Sequence, residues 1–314
     1  MRLVEVAGPS HREDGAPLYI KNAFNTMGHP CVRKTVLEPP PWDGVEGCVE
    51  VDWAADAFPD LPELIPPAPS IIWNSDTHWS SKSYLYRLNH SKRFSHVYCA
   101  QRDAVENFAA QGLPVEWMPH AAEHTVYTPR LKDYATHLRA NLPPDPDAFR
   151  HNMVVRHPAY DWCFVGFMNT DNRIKALEAL CDGFPNAFVL SGMFFEETAK
   201  VFTDSRVVFN ISVCGDLNMR SFETLATRSC LLTDRQQGMA EAGFVHKENC
   251  LIYDSLEEGM DLLDWALANQ GERERIADAG WRMVLAKHTY QHRCQTMLDR
   301  FTVLRDTKGE VARL

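Results

Sequence analysis

The sequence holds no Cys-x-x-Cys pair, no Gly-x-x-x-x-Gly-Lys-Ser/Thr run, no Gly-x-Ser-x-Gly elbow and no His-Glu-x-x-His segment. Those absences remove the phosphate-cradling P-loop, the hydrolase nucleophile and the helical zinc-protease site from consideration. The nine cysteines, at 31, 48, 99, 163, 181, 214, 230, 250 and 294, have the spacing of neither a zinc site nor a compact disulfide framework, so a reducing cytoplasm is their simplest setting. Long apolar runs are missing too. No stretch approaches the roughly 20 residues of a membrane span, and the opening Met1-Arg2-Leu3-Val4-Glu5-Val6-Ala7-Gly8 enters a strand-like segment without the apolar core of a signal peptide. A cytoplasmic protein with no membrane span is expected. Positive charge is scarce: 32 Lys and Arg against 42 Asp and Glu leave a formal net charge of -10, which opposes the phosphate neutralisation that nucleic-acid binding requires.

What is present suits a globular protein of two domains, with 314 residues, 45% of them apolar and 24% charged. Apolar runs of strand length alternate with helical patterns, as in a parallel sheet with crossover helices. Strands are expected at Leu3 to Ala7, Ser70 to Asn74, His96 to Cys99 and Val115 to Met118, with a helix near Leu18 to Met27. The rhythm resumes at Trp162 to Gly166, Ala187 to Ser191, Val207 to Ile211, Cys230 to Thr233 and Cys250 to Tyr253. Helices close the sequence near Leu256 to Ala268, with Ser255 as N-cap, Arg273 to Lys287 and Tyr290 to Leu304. Pro143, Pro144, Pro146 and Pro158 fall among charged residues, where the pattern loosens. The expected organisation is therefore an N-terminal domain over 1–130, a linker over 131–160, a C-terminal domain over 161–290, and a helix over 291–314 returning to the first domain.

Ligands of open α/β sheets bind beyond the carboxyl ends of the strands, so the loops there are the places for chemistry. The first, Gly8 to Gly15, carries His11 and Asp14, which can exchange protons; a solvated surface loop explains it equally well. Ser75-Asp76-Thr77-His78-Trp79 sets an acid two residues from an imidazole, although Asp76 can instead serve as an N-cap and His78 as a core residue. Met118-Pro119-His120-Ala121-Ala122-Glu123 follows the next strand and reads most simply as a turn. The fourth loop, from Val165 and Gly166 to Arg173, offers a glycine for clearance and a guanidinium near a helix N-terminus, which suits a diphosphate. In the fifth, a polar loop from Asn210 feeds a helix carrying Asn218, Arg220 and Glu223. A carboxylate there can accept both hydroxyls of a ribose while backbone donors hold phosphate, or it can serve only the helix dipole from the first turn. His288 and His292 stand at helical spacing and could in principle share a metal, but capping and packing of the last helix explain them better.

Four segments in order carry a resemblance: Phe164-Val165-Gly166 with Arg173, the run from Asn218 through Arg220-Ser221-Phe222-Glu223 to Ala226, Leu231-Leu232-Thr233-Asp234, and His288-Thr289-Tyr290-Gln291-His292-Arg293. Together they resemble glycosyltransferases of the GT-B fold, specifically group-one transferases and their CgeB-like, spore-maturation-type relatives. The resemblance covers the C-terminal half well and the N-terminal half in outline. It implies an α/β protein of two Rossmann-like domains with parallel sheets facing across a cleft. By the same resemblance Glu223 binds the donor ribose, Arg220, Asn218 and the backbone near Gly166 approach the sugar diphosphate, and Arg173 neutralises phosphate. Asp76-Thr77-His78 looks like the segment that presents a histidine to the transferred sugar, with His11 as a further candidate, and Pro119 to Glu123 takes the place of an interdomain turn.

Three departures stand out. Gly215 beside Asp216 replaces an earlier glutamate, Phe167 replaces a basic residue, and Thr227-Arg228-Ser229 replaces an expected glycine. The implied activity is transfer of a sugar from a nucleotide-diphosphate sugar to an unidentified acceptor, without metal or other cofactor. The shared features favour retention of anomeric configuration, while the missing first glutamate leaves inversion open. A nucleotide-sugar epimerase and a non-catalytic, spore-associated sugar-nucleotide binder fit the same scaffold.

Overall fold

The computed structural model describes residues 1–7, 15–35, 43–51, 69–77, 84–129 and 160–311. His11, His78 and the expected linker, apart from Tyr160, lie outside the described residues. In chain order the elements are β1 (Leu3–Ala7), α1 (Ala16–Thr26), β2 (Cys31–Thr35), β3 (Gly47–Val51), β4 (Ser70–Asn74), α2 (Tyr84–Ser91), β5 (His96–Cys99), α3 (Arg102–Ala110) and β6 (Val115–Trp117). There follow β7 (Tyr160–Val165), α4 (Asp171–Gly183), β8 (Ala187–Leu190), α5 (Phe195–Asp204), β9 (Ser205–Asn210), α6 (Met219–Ala226), β10 (Cys230–Asp234), β11 (Leu251–Tyr253), α7 (Leu256–Ala268), α8 (Gln270–Lys287) and α9 (Tyr290–Val311). The residues divide into two compact units, one of Met1–His120 with Tyr290–Leu314 and one of Ala121–Thr289. Residues 121–129 thus group with the second unit and α9 with the first.

Each unit is built on a parallel sheet, ordered β2-β1-β3-β4-β5-β6 in the first and β11-β10-β9-β7-β8 in the second. Most of the strands are near-continuous apolar runs, as in parallel sheets covered on both faces; Trp162, Cys163 and Phe164 in β7 are fully buried. Both sheets reverse direction once. The chain passes from β1 to β2 on one side and then to β3 on the other, and it repeats this from β7 to β8 and then β9. A crevice opens at the strand ends where the two directions part. In the second unit the core rests on Trp162, Phe209 and Tyr253, with the last two rings stacked at 5.5 Å.

In the first unit α9 is an integral layer. Tyr290 packs on Tyr19 of α1 with ring centroids 5.0 Å apart, and the Cys294 thiol meets the Ile20 carbonyl at 3.5 Å. Phe301 lies so close to β3 that a Cβ on Gly47 would stand 3.0 Å from its ring, which explains a glycine opening that strand. Arg293, fully enclosed, donates to the carbonyls of Pro119 and His120 at 2.7 Å each. Tyr290 and Arg293 thus fix the start of α9 within the first unit. His288 ends α8, bonds the Ala242 carbonyl at 2.9 Å and packs on Phe222.

Local chemistry explains most boundaries. Thr170 caps α4 by accepting from the Arg173 amide at 3.4 Å, and Ser255 caps α7 by accepting from the Glu258 amide at 3.2 Å. Within Thr227-Arg228-Ser229, the stretch that replaces an expected glycine, Arg228 takes the left-handed conformation with φ 59°. Its ion pair to Asp278 at 2.6 Å and its place over the Trp281 ring offset strain of about 1 kcal/mol that a glycine would not incur.

Strands β2 and β3 escape the sequence reading because charge interrupts them. β2 is a sheet edge with Arg33 and Lys34, and β3 carries Glu50 within Cys48-Val49-Glu50-Val51. Glu5 and Glu50 are both completely buried. Glu50 pairs with His90 of α2 at 2.6 Å, while Glu5 has Arg33 Nε at 3.3 Å. Burial pushes the Glu5 carboxyl up from its ordinary 4.5 to about 8, against the pull of Arg33 and with a further push from Glu50. The folded chain then holds a proton that the unfolded chain releases above its lower pKa. The contribution is fully present at acid pH and is lost as pH rises through the folded value. Wild-type melting temperature should therefore fall between about pH 5 and pH 8 more than that of Glu5→Gln. Parallel melting profiles for the two proteins would contradict this.

Candidate functional site

At the switch point of the second sheet, β7 ends at Val165 and β9 at Asn210, and two arginines bridge the segments that leave them. Arg220, second residue of α6, donates from Nε to the Val165 carbonyl at 2.6 Å and from a terminal nitrogen to Asn210 Oδ1 at 2.6 Å. Arg173, third residue of α4, donates from one terminal nitrogen to the Phe167 carbonyl at 2.6 Å and from the other to the Ile211 carbonyl at 2.5 Å. Both guanidiniums lie over the Phe164 ring, at 4.5 Å for Arg220 and 5.6 Å for Arg173. Gly166 makes this possible. A Cβ there would stand 1.7 Å from an Arg220 terminal nitrogen.

Carbonyls orient a guanidinium without neutralising it. Neither arginine has a carboxylate ion-pair partner among the described residues, and the buried Arg173 Nε has no hydrogen-bond partner at all. Burial, joined by the charge of Arg173, lowers the Arg220 pKa to about 10, with Glu223 and Asp216 acting against both. Burial lowers Arg173 as well, opposed by Asp216 and Asp234. Two enclosed positive charges held by carbonyls and only partly offset by Asp216, Asp234 and Glu223 are costly, and an anion arriving in the crevice would lower that cost.

The start of α6 adds donors. Its N-cap, Asn218, makes no capping bond and turns its amide instead to Asn210, at 3.3 and 3.5 Å. The first-turn N–H groups of the helix are thus left without a side-chain cap, unlike those of α4 and α7. Glu223 is half-buried and is the fifth residue of α6, so no acidic residue lies in the first turn. This corrects the alternative that made Glu223 a first-turn carboxylate serving the helix dipole: the helix begins at Met219, and dipole effects fall off within one turn.

The sequence reading missed the residue at the centre of this arrangement. Asn210 is fully buried, and besides accepting from Arg220 its amide nitrogen reaches Asn218, Ser221 Oγ and Thr233 Oγ1 at 3.3, 3.2 and 3.0 Å. Next to it, Asp234 accepts from the Ser212 amide at 3.0 Å, from the Ser212 hydroxyl, and from Gln236 Nε2 at 2.9 Å. Ser212 Oγ in turn accepts from the Gly215 amide at 3.0 Å. The segment Leu231-Leu232-Thr233-Asp234 therefore fixes the loop between β9 and α6. The available signal was a polar residue ending each of two apolar strands that pair side by side.

In the first unit, Asp76 is exposed between buried Ser75 and Thr77, just beyond β4. His120 is buried, with Nε2 3.2 Å from the Ser75 carbonyl and its ring 6.0 Å from that of Trp73. Asp76 and the second-unit residues Gly166, Arg173, Asn218, Arg220 and Glu223 are thus placed, each set within its own unit. Among the described residues no group of three or more His, Cys, Asp and Glu stands ready for a metal ion, no disulfide forms, and no helix is long and apolar enough to cross a membrane.

Comparison with known proteins sets this geometry in context. The family described as glycosyl transferase-like matches residues 174–299. No curated protein matches the sequence. Among solved structures, a sucrose-phosphate synthase of Thermosynechococcus elongatus superposes with a TM-score of 0.64 at 9% identity, covering 98% of this chain and 100% of that one. HepE of Anabaena in complex with UDP-glucose gives 0.63 at 12% identity, with 97% and 100% covered. A UDP-forming α,α-trehalose-phosphate synthase of Burkholderia xenovorans gives 0.58 at 12% identity, with 82% and 74% covered. The fold is GT-B.

Proposed function

We propose that this protein is a glycosyltransferase that moves a sugar from a nucleotide-diphosphate sugar to an acceptor, with the second unit holding the donor. The observation that carries the reading is the pair of enclosed guanidiniums held by carbonyls and lacking a direct ion pair among the described residues, Arg173 and Arg220, beside the uncapped start of α6 at a sheet switch point. A diphosphate is an anion suited to those donors, and Glu223, one turn further along α6, is the carboxylate for the ribose hydroxyls. The similarity of residues 174–299 to the glycosyl transferase-like family supports the same assignment. Within that family we place the protein with the CgeB-like relatives, as a cytoplasmic enzyme transferring a hexose or related sugar.

In this mechanism the protein's own cations and helix dipole stabilise the departing nucleotide diphosphate, and positioning of two substrates supplies the rest of the rate. The strand-end loops of the first unit, with His78, Asp76 and His11, serve the acceptor and the proton it loses. The features shared with group-one enzymes favour retention, while the glutamate missing at Gly215 and Asp216 leaves inversion open.

Metal independence is the expectation, because Arg173 and Arg220 would supply the positive charge that a divalent ion otherwise brings to a departing diphosphate. With UDP-glucose as the first donor tested, transfer or donor hydrolysis should persist within about twofold in excess chelator. Activity that vanishes with chelator and returns with magnesium or manganese would overturn the electrostatic scheme. Detection of a new glycoside separates transfer from epimerisation, and binding without turnover would mark a non-catalytic binder.

A further inference from the structure

Gln101 occupies the N-cap position of α3 but makes no capping bond, although Ser, Thr, Asp and Asn are the residues that stabilise such positions. Its side chain turns instead to the loop after β4. Nε2 donates to the Ser75 carbonyl at 2.6 Å, and Oε1 accepts from both the amide and the hydroxyl of Thr77, at 2.8 and 2.6 Å. One orientation of the amide satisfies all three bonds, since the carbonyl needs a donor and the Thr77 groups need an acceptor. Gln101, Ser75 and Thr77 are all buried, while Asp76 between them faces solvent. The backbone is tied at the same place, where the Ala100 amide donates to the Asn74 carbonyl at 2.9 Å. His120 approaches the same Ser75 carbonyl, and Arg293 anchors the backbone of His120.

We infer that Gln101 is a positioning residue for the acceptor side of the reaction: it clamps the Ser75–Thr77 turn so that Asp76 is presented in a fixed geometry. A turn of three residues has few internal bonds to define it, and here the definition comes from an amide supplied by a different strand-to-helix connection. The inference rests on the proposed glycosyl transfer. Within that reaction Gln101 belongs to the first unit, and the two arginines proposed for the donor belong to the second.

The test uses the full-length protein with Gln101→Met, which keeps the side chain's length and removes its hydrogen bonds, and Gln101→Glu, which keeps the acceptor for Thr77 and loses the donor to Ser75. Turnover, the KM for UDP-glucose and calorimetric UDP affinity are measured for each, with hydrogen exchange at the Thr77 amide. Gln101→Met should lower kcat about tenfold or more with KM and UDP affinity within about twofold, and should speed exchange at Thr77; Gln101→Glu should fall between it and wild type. Unchanged kcat in Gln101→Met, or a fall in kcat matched by an equal loss of UDP affinity, would overturn the inference. If Gln101→Met does not fold, wild-type kcat in Gln101→Glu with unprotected Thr77 overturns it equally. A wild-type protein that binds UDP and turns over no sugar nucleotide would instead sink the transferase reading, and protection at Thr77 would still report the clamp.

Discussion

Glu223→Ala should lower nucleotide affinity on the order of tenfold or more while leaving the protein folded. The carboxylate would accept charge-assisted hydrogen bonds from two ribose hydroxyls, each worth roughly 1.5–3 kcal/mol, and 1.4 kcal/mol is a factor of ten. Its position in α6 argues that the cost to the fold is small. Glu223 is half-buried and beyond the first turn, so the helix dipole gains little from it, and alanine is the better helix former. Isothermal titration with UDP, alongside a thermal melt, separates the two quantities. Wild-type affinity in a folded Glu223→Ala protein would remove the residue from the donor site.

The second large effect is expected from the smallest possible change, Gly166→Ala. The added methyl would occupy the place of an Arg220 terminal nitrogen, 1.7 Å away, and of its central carbon, 2.7 Å away. A surface arginine would swing aside at little cost. Arg220 is held by Val165 and Asn210, so displacing it breaks two hydrogen bonds made by a charged group, roughly 1.5–3 kcal/mol each before relaxation. Asn210 then loses its strongest partner while its other bonds persist. Stability should fall by about 2–4 kcal/mol, and UDP affinity should fall with it, since the guanidinium leaves the crevice. A combined Gly166→Ala, Arg220→Ala protein should be more stable than Gly166→Ala alone, because the clash is gone; equal stability would show that Arg220 is not what the glycine accommodates.

The α/β class and parallel sheets were legible from the sequence because a strand covered on both faces has a distinctive form: Ser70–Asn74 and His96–Cys99 are short apolar runs between polar turns, and they fold over the expected residues. Strands β2 and β3 were hidden by buried charge. Glu5 and Glu50 look like solvent-facing residues until their partners Arg33 and His90 are brought in from other elements. In the crevice, residue types and spacing drew attention to Arg173 and Arg220, but the sequence cannot show that backbone carbonyls already occupy much of each guanidinium. It gave no weight to Asn210, whose importance lies in four neighbours drawn from β10, α6 and the loop before it. Pattern reports periodicity along the chain; a polar hub is a meeting of residues far apart along it.

The division of the chain has a consequence for its synthesis. The second unit is one uninterrupted stretch, whereas the first needs α9 against α1 and β3. On the ribosome the six strands of the first unit emerge earliest, yet the places filled by Tyr290, Cys294 and Phe301 stay empty until residues 121–289 have been made. Domains fold as units during translation, so the unit that carries Asp76 is translated first and completed second. Its unfinished apolar face, lined by Tyr19 and Ile20, is the surface that a nascent-chain chaperone would meet in the interval.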